Sequence, residues 1–253
     1  MTYEEQAMAE AELWRIRMKR KPSFINTISK NLQIRINNAI PDKVHRVITA
    51  AIKQMTRAVC FGAEFTNPNP LQVGTLEERE IKVKDRIRFY RNTAAAEGAI
   101  TGAGGILLGL ADFPLWLTLK IKMLYEIASL YGYNVANYKE RIFLLHIFEL
   151  TFSSQKHRVK TIQVIEDWVF YQKTLPVRPE DFDWRNFQQE YRDYIDLAKL
   201  LQLVPGIGAP VGAVVNHRLT EKLGKMAMNA YRLRWNSSEK IAGPSNEFPA
   251  SYY

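Results

Sequence analysis

The sequence predicts an all-α fold, a multi-helix bundle in which two Gly/Ala-rich apolar helical segments pack together. Three observations support this. Apolar residues recur at three- and four-residue spacing through most of the 253 residues. No alternating strand pattern leads into a hairpin turn anywhere. Capping residues and prolines stand where the periodic runs begin and end.

Residues 3–20 predict a helix, with Glu4, Glu5, Glu10 and Glu12 early and Arg15, Arg17, Lys19 and Arg20 late, as the helix dipole favours. Pro22 ends it. Ser23 is an N-cap for a second run carried by Ile25, Ile28, Leu32, Ile36 and Ala39. Pro41 opens a third, through about Phe61, with the clearest pattern in the chain. At about 100° per residue, Val44, Ile48, Ala51, Ile52, Met55 and Val59 gather on roughly a third of the circumference. Lys43, Arg46, Lys53 and Arg57 fall opposite and form a positive stripe.

Thr66 to Gly74, with Pro68 and Pro70, is a loop. Thr75 and Glu78 form a capping box for the next helix, whose narrow apolar stripe is Leu76, Val83, Ile87 and Tyr90. Its charges are Arg79, Lys82, Lys84, Arg86, Arg88 and Arg91. Beyond Pro114 an amphipathic helix presents Phe113, Leu117, Leu124, Ala128 and Tyr131 and stops near Gly132. Helices then follow over roughly 138–152, 155–172, 184–203 and 208–235, with a loop around Pro176 and Pro179. By domain, residues 1–22 are an N-terminal helix, 23–235 one helical domain, and 236–253 a polar tail expected to be disordered.

Two segments break the pattern. From Gly98 to Leu119 the only charged side chain is Asp112, and glycines stand at 98, 102, 104, 105 and 109. From Leu200 to Asn216 there is no charge at all. Asp112 follows Gly102 by the same ten positions that separate Asn216 from Gly206. Glycine in a helix costs about 1 kcal/mol relative to alanine, so its repeated use requires a return. Gly98/Gly102, Gly105/Gly109 and Gly208/Gly212 have the four-residue spacing that lets helix backbones approach. One reading buries the segments against each other, with Asp112 hydrogen-bonded to Asn216 at the centre. A second inserts the first segment into a bilayer, at the cost of Asp112 and Pro114 in lipid. A phosphate cradle is disfavoured, since Gly-Ala-Gly-Gly lacks a following Lys-Ser or Lys-Thr and a βαβ setting.

The search for chemistry returns no catalytic site. Four histidines, His45, His146, His157 and His217, form no His-Glu-x-x-His or Glu-x-x-His motif, so no metal site is expected. Cys60 is a small core residue, and as the single cysteine it permits no internal disulfide, which suits a reducing compartment. Glu166, Asp167, Asp181, Asp183, Glu190, Asp193 and Asp196 read as solvated surface. No cofactor is implied.

Net charge is +9 and unevenly placed. Between Trp14 and Arg57 eleven Lys or Arg face one acid, Asp42, leaving the remainder close to neutral. An anionic membrane surface rewards such a cluster by about 1 kcal/mol per nearby cation. Nucleic acid would reward it too, but no zinc-finger or RNP-type signature accompanies it.

The run Gly102 … Gly109-Leu-Ala-Asp-Phe-Pro114, then Tyr131-Gly-Tyr133, resembles the EcsC protein family. So do Pro205-Gly-Ile-Gly208 … Gly212-Ala-Val-Val-Asn216, Ala227 and Tyr231-Arg-Leu-Arg-Trp235, and the likeness covers about residues 25–235. The family takes its name from a component linked to a bacterial ABC transporter. The resemblance therefore implies a helical protein in a bacterial context with a membrane transporter as partner. It carries no catalytic residue, because the family's activity is not established.

The expected function is a non-catalytic, membrane-associated helical protein, accessory to a membrane transport or envelope system. Its expected place is cytoplasmic, peripheral or partly inserted at the inner membrane, since the acidic N-terminus is unlike a signal peptide. The alternative is a soluble enzyme or a lipid- or small-molecule-binding protein with a pocket near Asp112.

Overall fold

A computed structural model describes residues 1–20, 42–61, 68–103, 113–153, 155–194 and 209–235. Among them there is no β-strand, and the helices assemble into one bundle, so the all-α expectation holds. In order they are α1 (Tyr3–Lys19), α2 (Asp42–Phe61), α3 (Leu76–Ala103), α4 (Phe113–Leu130) and α5 (Tyr138–Phe152). After these come α6 (Gln155–Glu166), α7 (Trp168–Thr174), a 3-10 turn at Pro179–Asp181, α8 (Trp184–Tyr194) and α9 (Ala209–Trp235).

Local chemistry sets the ends. Thr2 and Glu5 form a capping box at α1, and Thr75 and Glu78 close one at α3, with Thr75 N–H donating to Glu78 at 2.8 Å. Gly132 ends α4 at φ +93°: its own N–H reaches Ser129 O, and Tyr133 N–H reaches Ala128 O. That is a Schellman arrangement, which needs a left-handed residue. A Cβ on Gly132 would also stand 3.2 Å from Leu71 O and 3.1 Å from Arg79 Nη1. The single helix expected over 155–172 is instead two, because Asp167 leaves helical geometry at φ −91°, ψ 19° and turns the chain into α7.

α5 is the central helix. Every residue from Ile142 to Phe152 is buried, the signature of a helix covered on all sides, here by α2, α4, α6 and α9. Each such Leu, Ile or Phe contributes about 1.5–3 kcal/mol against exposure. α2 lays Ile48, Ala51, Ile52, Met55 and Val59 into this core, as its spacing predicts.

The longest interface runs between α3 and α9. Glu80 meets Arg232, Ile87 meets Gly224 and Arg91 meets Glu221, so the two helices are antiparallel. A Cβ on Gly224 would lie 2.6–2.9 Å from Ile87 side-chain carbons, which is why glycine stands there. Continuing the same register brings Gly98 near the level of Val214, joining the C-terminal end of α3 to the N-terminal end of α9. Gly224, which admits Ile87, lies outside the two segments singled out from sequence.

Candidate functional site

Two ion clusters lock the bundle before any surface is considered. Arg232 holds buried Glu80 bidentately at 2.7 Å through both Nε and Nη2, and reaches Glu10 on α1 at 2.8 Å. Tyr3 and Tyr131 donate their hydroxyls to the same Glu80 carboxylate. Arg234 binds Glu140 at 2.8 and 3.0 Å and lies over the Tyr133 ring at 3.8 Å and the Phe143 ring at 4.4 Å. Charge-assisted forks of this kind fix register as well as adding energy. One end of α9 therefore ties α1, α3, α5 and the α4–α5 turn.

On α2, Arg46, Lys53 and Arg57 are exposed, while the apolar face of that helix is spent in the core. Lys43 lies in the same helix; its side chain falls outside the described residues. Of the glycine-rich positions, Gly98 and Asn216 are buried, and Gly102 and Gly212 lie within α3 and α9. Gly105, Gly109, Asp112 and Gly208 fall outside the described residues, and with them the expected contact of Asp112 with Asn216. Residues 98–103 close α3 and 113–119 open α4; no helix among the described residues is long and apolar enough to cross a membrane.

The structure also forms a groove that sequence reading does not find. Three helices line it, each with one stripe at helical spacing. α1 supplies Glu10, Leu13, Trp14 and Arg17. α3 supplies Lys84, Ile87, Arg88 and Arg91. From α9 come Glu221, Lys225, Met228, Asn229 and Arg232. The volume is about 580 Å³, within the range of small-molecule sites. The charged residues of α1 and α3 were visible as runs, but their convergence needed the antiparallel α3–α9 pairing. Other cations of the same runs are consumed elsewhere: Arg15 and Lys19 pair with Glu166 at 3.1 and 2.7 Å. Glu166 is thus an inter-helix anchor rather than the solvated acid expected.

Two buried polar groups stand apart. Lys120 is 1% exposed; its Nζ lies 4.6 Å from the Trp116 ring and has no hydrogen-bond partner among the described residues. Burial pushes its amine down to about 7, against the opposing attraction of Glu97. A sequence signal existed, since Lys120 sits on the Leu117–Leu124 stripe of α4. His146 Nδ1 lies 3.2 Å from Glu149, whose other oxygen accepts from Thr161 at 2.8 Å, and Trp168, Tyr171 and Phe187 surround the ring. No group of three His, Cys, Asp or Glu among the described residues is placed to hold a metal ion.

The model of the EcsC protein family matches residues 5–235. The chain belongs to the EcsC protein family. It is 43% identical to Protein EcsC of Bacillus subtilis (strain 168) over 235 residues, covering 92% of this chain and 97% of that protein. It is also 32% identical over 143 residues to the uncharacterized protein YdbA of the same organism, covering 56% of this chain and 53% of that one. No solved structure matches. The EcsC match begins at residue 5, so it includes all but the first two residues of α1, which the motif-based likeness left out. The residues that carried the resemblance to EcsC proteins serve the frame where they are described. Tyr131 and Tyr133 stack on Tyr231 at 5.1 and 5.2 Å, Gly132 ends α4, and Arg232 and Arg234 hold the two buried carboxylates.

Proposed function

We propose that this EcsC-family protein is a non-catalytic, membrane-associated helical protein, peripheral at an anionic lipid surface and accessory to a membrane transport or envelope system. One observation carries the reading: α2 commits its apolar face to the core and leaves Arg46, Lys53 and Arg57 exposed, none of them ion-paired among the described residues. Such a helix offers charge to a surface and has no apolar wedge left to insert. Three to four cations contribute about 3–4 kcal/mol at an anionic leaflet, an attraction that salt screens. The partner transporter follows from the family's name alone.

Sedimentation with phosphatidylglycerol-rich vesicles tests it. Binding is expected at low salt, weaker at high salt, and lost when Lys43, Arg46, Lys53 and Arg57 are all changed to Gln. Equal binding to neutral and anionic vesicles overturns the reading. A second reading, a lipid- or small-molecule-binding protein, is favoured by the α1–α3–α9 groove rather than by the surroundings of Asp112.

A further inference from the structure

We infer that the groove between α1, α3 and α9 binds a single-chain amphiphile with an anionic head, a carboxylate or a phosphate monoester. This site is separate from the α2 face and does not rest on the membrane-surface reading.

The charge of the lining is one-sided. Six Lys or Arg side chains face the groove and only two carboxylates, Glu10 and Glu221. Both acids are already engaged, Glu10 by Arg232 at 2.8 Å and Glu221 by Lys225 at 2.8 Å with Arg91 at 3.6 Å. Arg17 has no ion pair among the described residues, and exposed Arg88 has only a 3.6 Å contact with exposed Asp85. These two arginines come from different helices, α1 and α3. Planar guanidiniums meet a carboxylate or phosphate with paired hydrogen bonds, so the groove carries an unfilled demand for an anion.

The floor asks for something else. Ile87 and Met228 lie beneath, and Leu13 is 53% exposed on α1 where the groove opens. Trp14 is fixed by its indole N–H on Met226 Sδ at 3.3 Å and forms part of the wall. Apolar area left open in a concave site favours a ligand whose hydrocarbon covers it. A bare anion leaves that area wet, and a neutral hydrocarbon leaves the arginines unanswered. An amphiphile satisfies both. Nucleic acid fits poorly, because one aromatic side chain offers no series of stacking platforms.

Isothermal titration of the full chain with dodecyl phosphate, below its micelle concentration, tests the inference. One molecule per chain is expected. Inorganic phosphate should bind at least tenfold more weakly, and dodecyltrimethylammonium should not bind. The double variant Arg17→Gln/Arg88→Gln, and separately Leu13→Asp, should each weaken dodecyl phosphate at least tenfold; all three positions are exposed, so circular dichroism should stay unchanged. The α2 variant should bind dodecyl phosphate like the parent even while it loses vesicles. Absence of binding, equal binding of the cationic analogue, indifference to the groove variants, or loss on changing α2 would each overturn the assignment.

Discussion

Glu80 shows how one residue couples distant parts of the chain. Burial alone would raise its carboxyl, but Arg232, Tyr3 and Tyr131 together hold it below the usual carboxylate range. A folded value below the unfolded one means the stabilisation is full above about pH 4.5 and fades as pH falls through the folded value. Glu80→Gln should therefore cost about 1–3 kcal/mol at neutral pH, by leaving the buried Arg232 guanidinium to Glu10 alone among the described carboxylates, and flatten the acid limb of the unfolding curve. Urea titrations from pH 3 to 7 check both. Lys120 has the opposite slope. Its folded value, about 7, lies well under that of an exposed lysine, so the unfolded chain binds more protons between pH 7 and 10 and stability rises with pH there. Lys120→Met should remove that rise and stabilise the protein at pH 7 by up to about 4 kcal/mol. Thermal melts that keep the same pH slope in the variant would refute the assignment.

At the scale of elements, the α3–α9 pair decides how near the groove walls stand. Gly224→Ala improves helix propensity by about 1 kcal/mol yet drives a Cβ into Ile87. Overpacking of this kind costs about 1–3 kcal/mol, so a net loss is expected in denaturant titration, with partial recovery in Gly224→Ala/Ile87→Val. The four-residue spacing of Gly98 and Gly102 suggested packing residues, and Gly98 is buried near the C-terminal end of α3. Gly224 was not legible, because a lone glycine in a charged helical stretch shows its use only against the side chain it admits. The break at Asp167 was missed for a similar reason: the apolar spacing of 155–172 continues through it, and the turn is set by packing of Trp168 beneath Phe143.

Across the whole molecule, α1 behaves as part of the bundle. Tyr3 reaches Glu80, Glu10 reaches Arg232, and Arg15 and Lys19 reach Glu166 on α6. Deleting residues 1–20 should expose the apolar side of α9 and lower the melting temperature by more than 5 °C, read by circular dichroism. Peripheral attachment predicts that alkaline carbonate releases the native protein from membranes; retention in the pellet would contradict it.

The sequence by itself determined the all-α class, the core stripes of α2, α3 and α4 and the capping box at Thr75, because these depend on neighbours within one or two turns. Only the tertiary structure decided which charges remain available. Arg15, Lys19, Arg232 and Arg234 are engaged in ion pairs, while Arg17 and Arg88 both line one groove. In the sequence all six read alike, as cations on helical runs. What separates them is the partner that a second helix, far away in the chain, brings alongside.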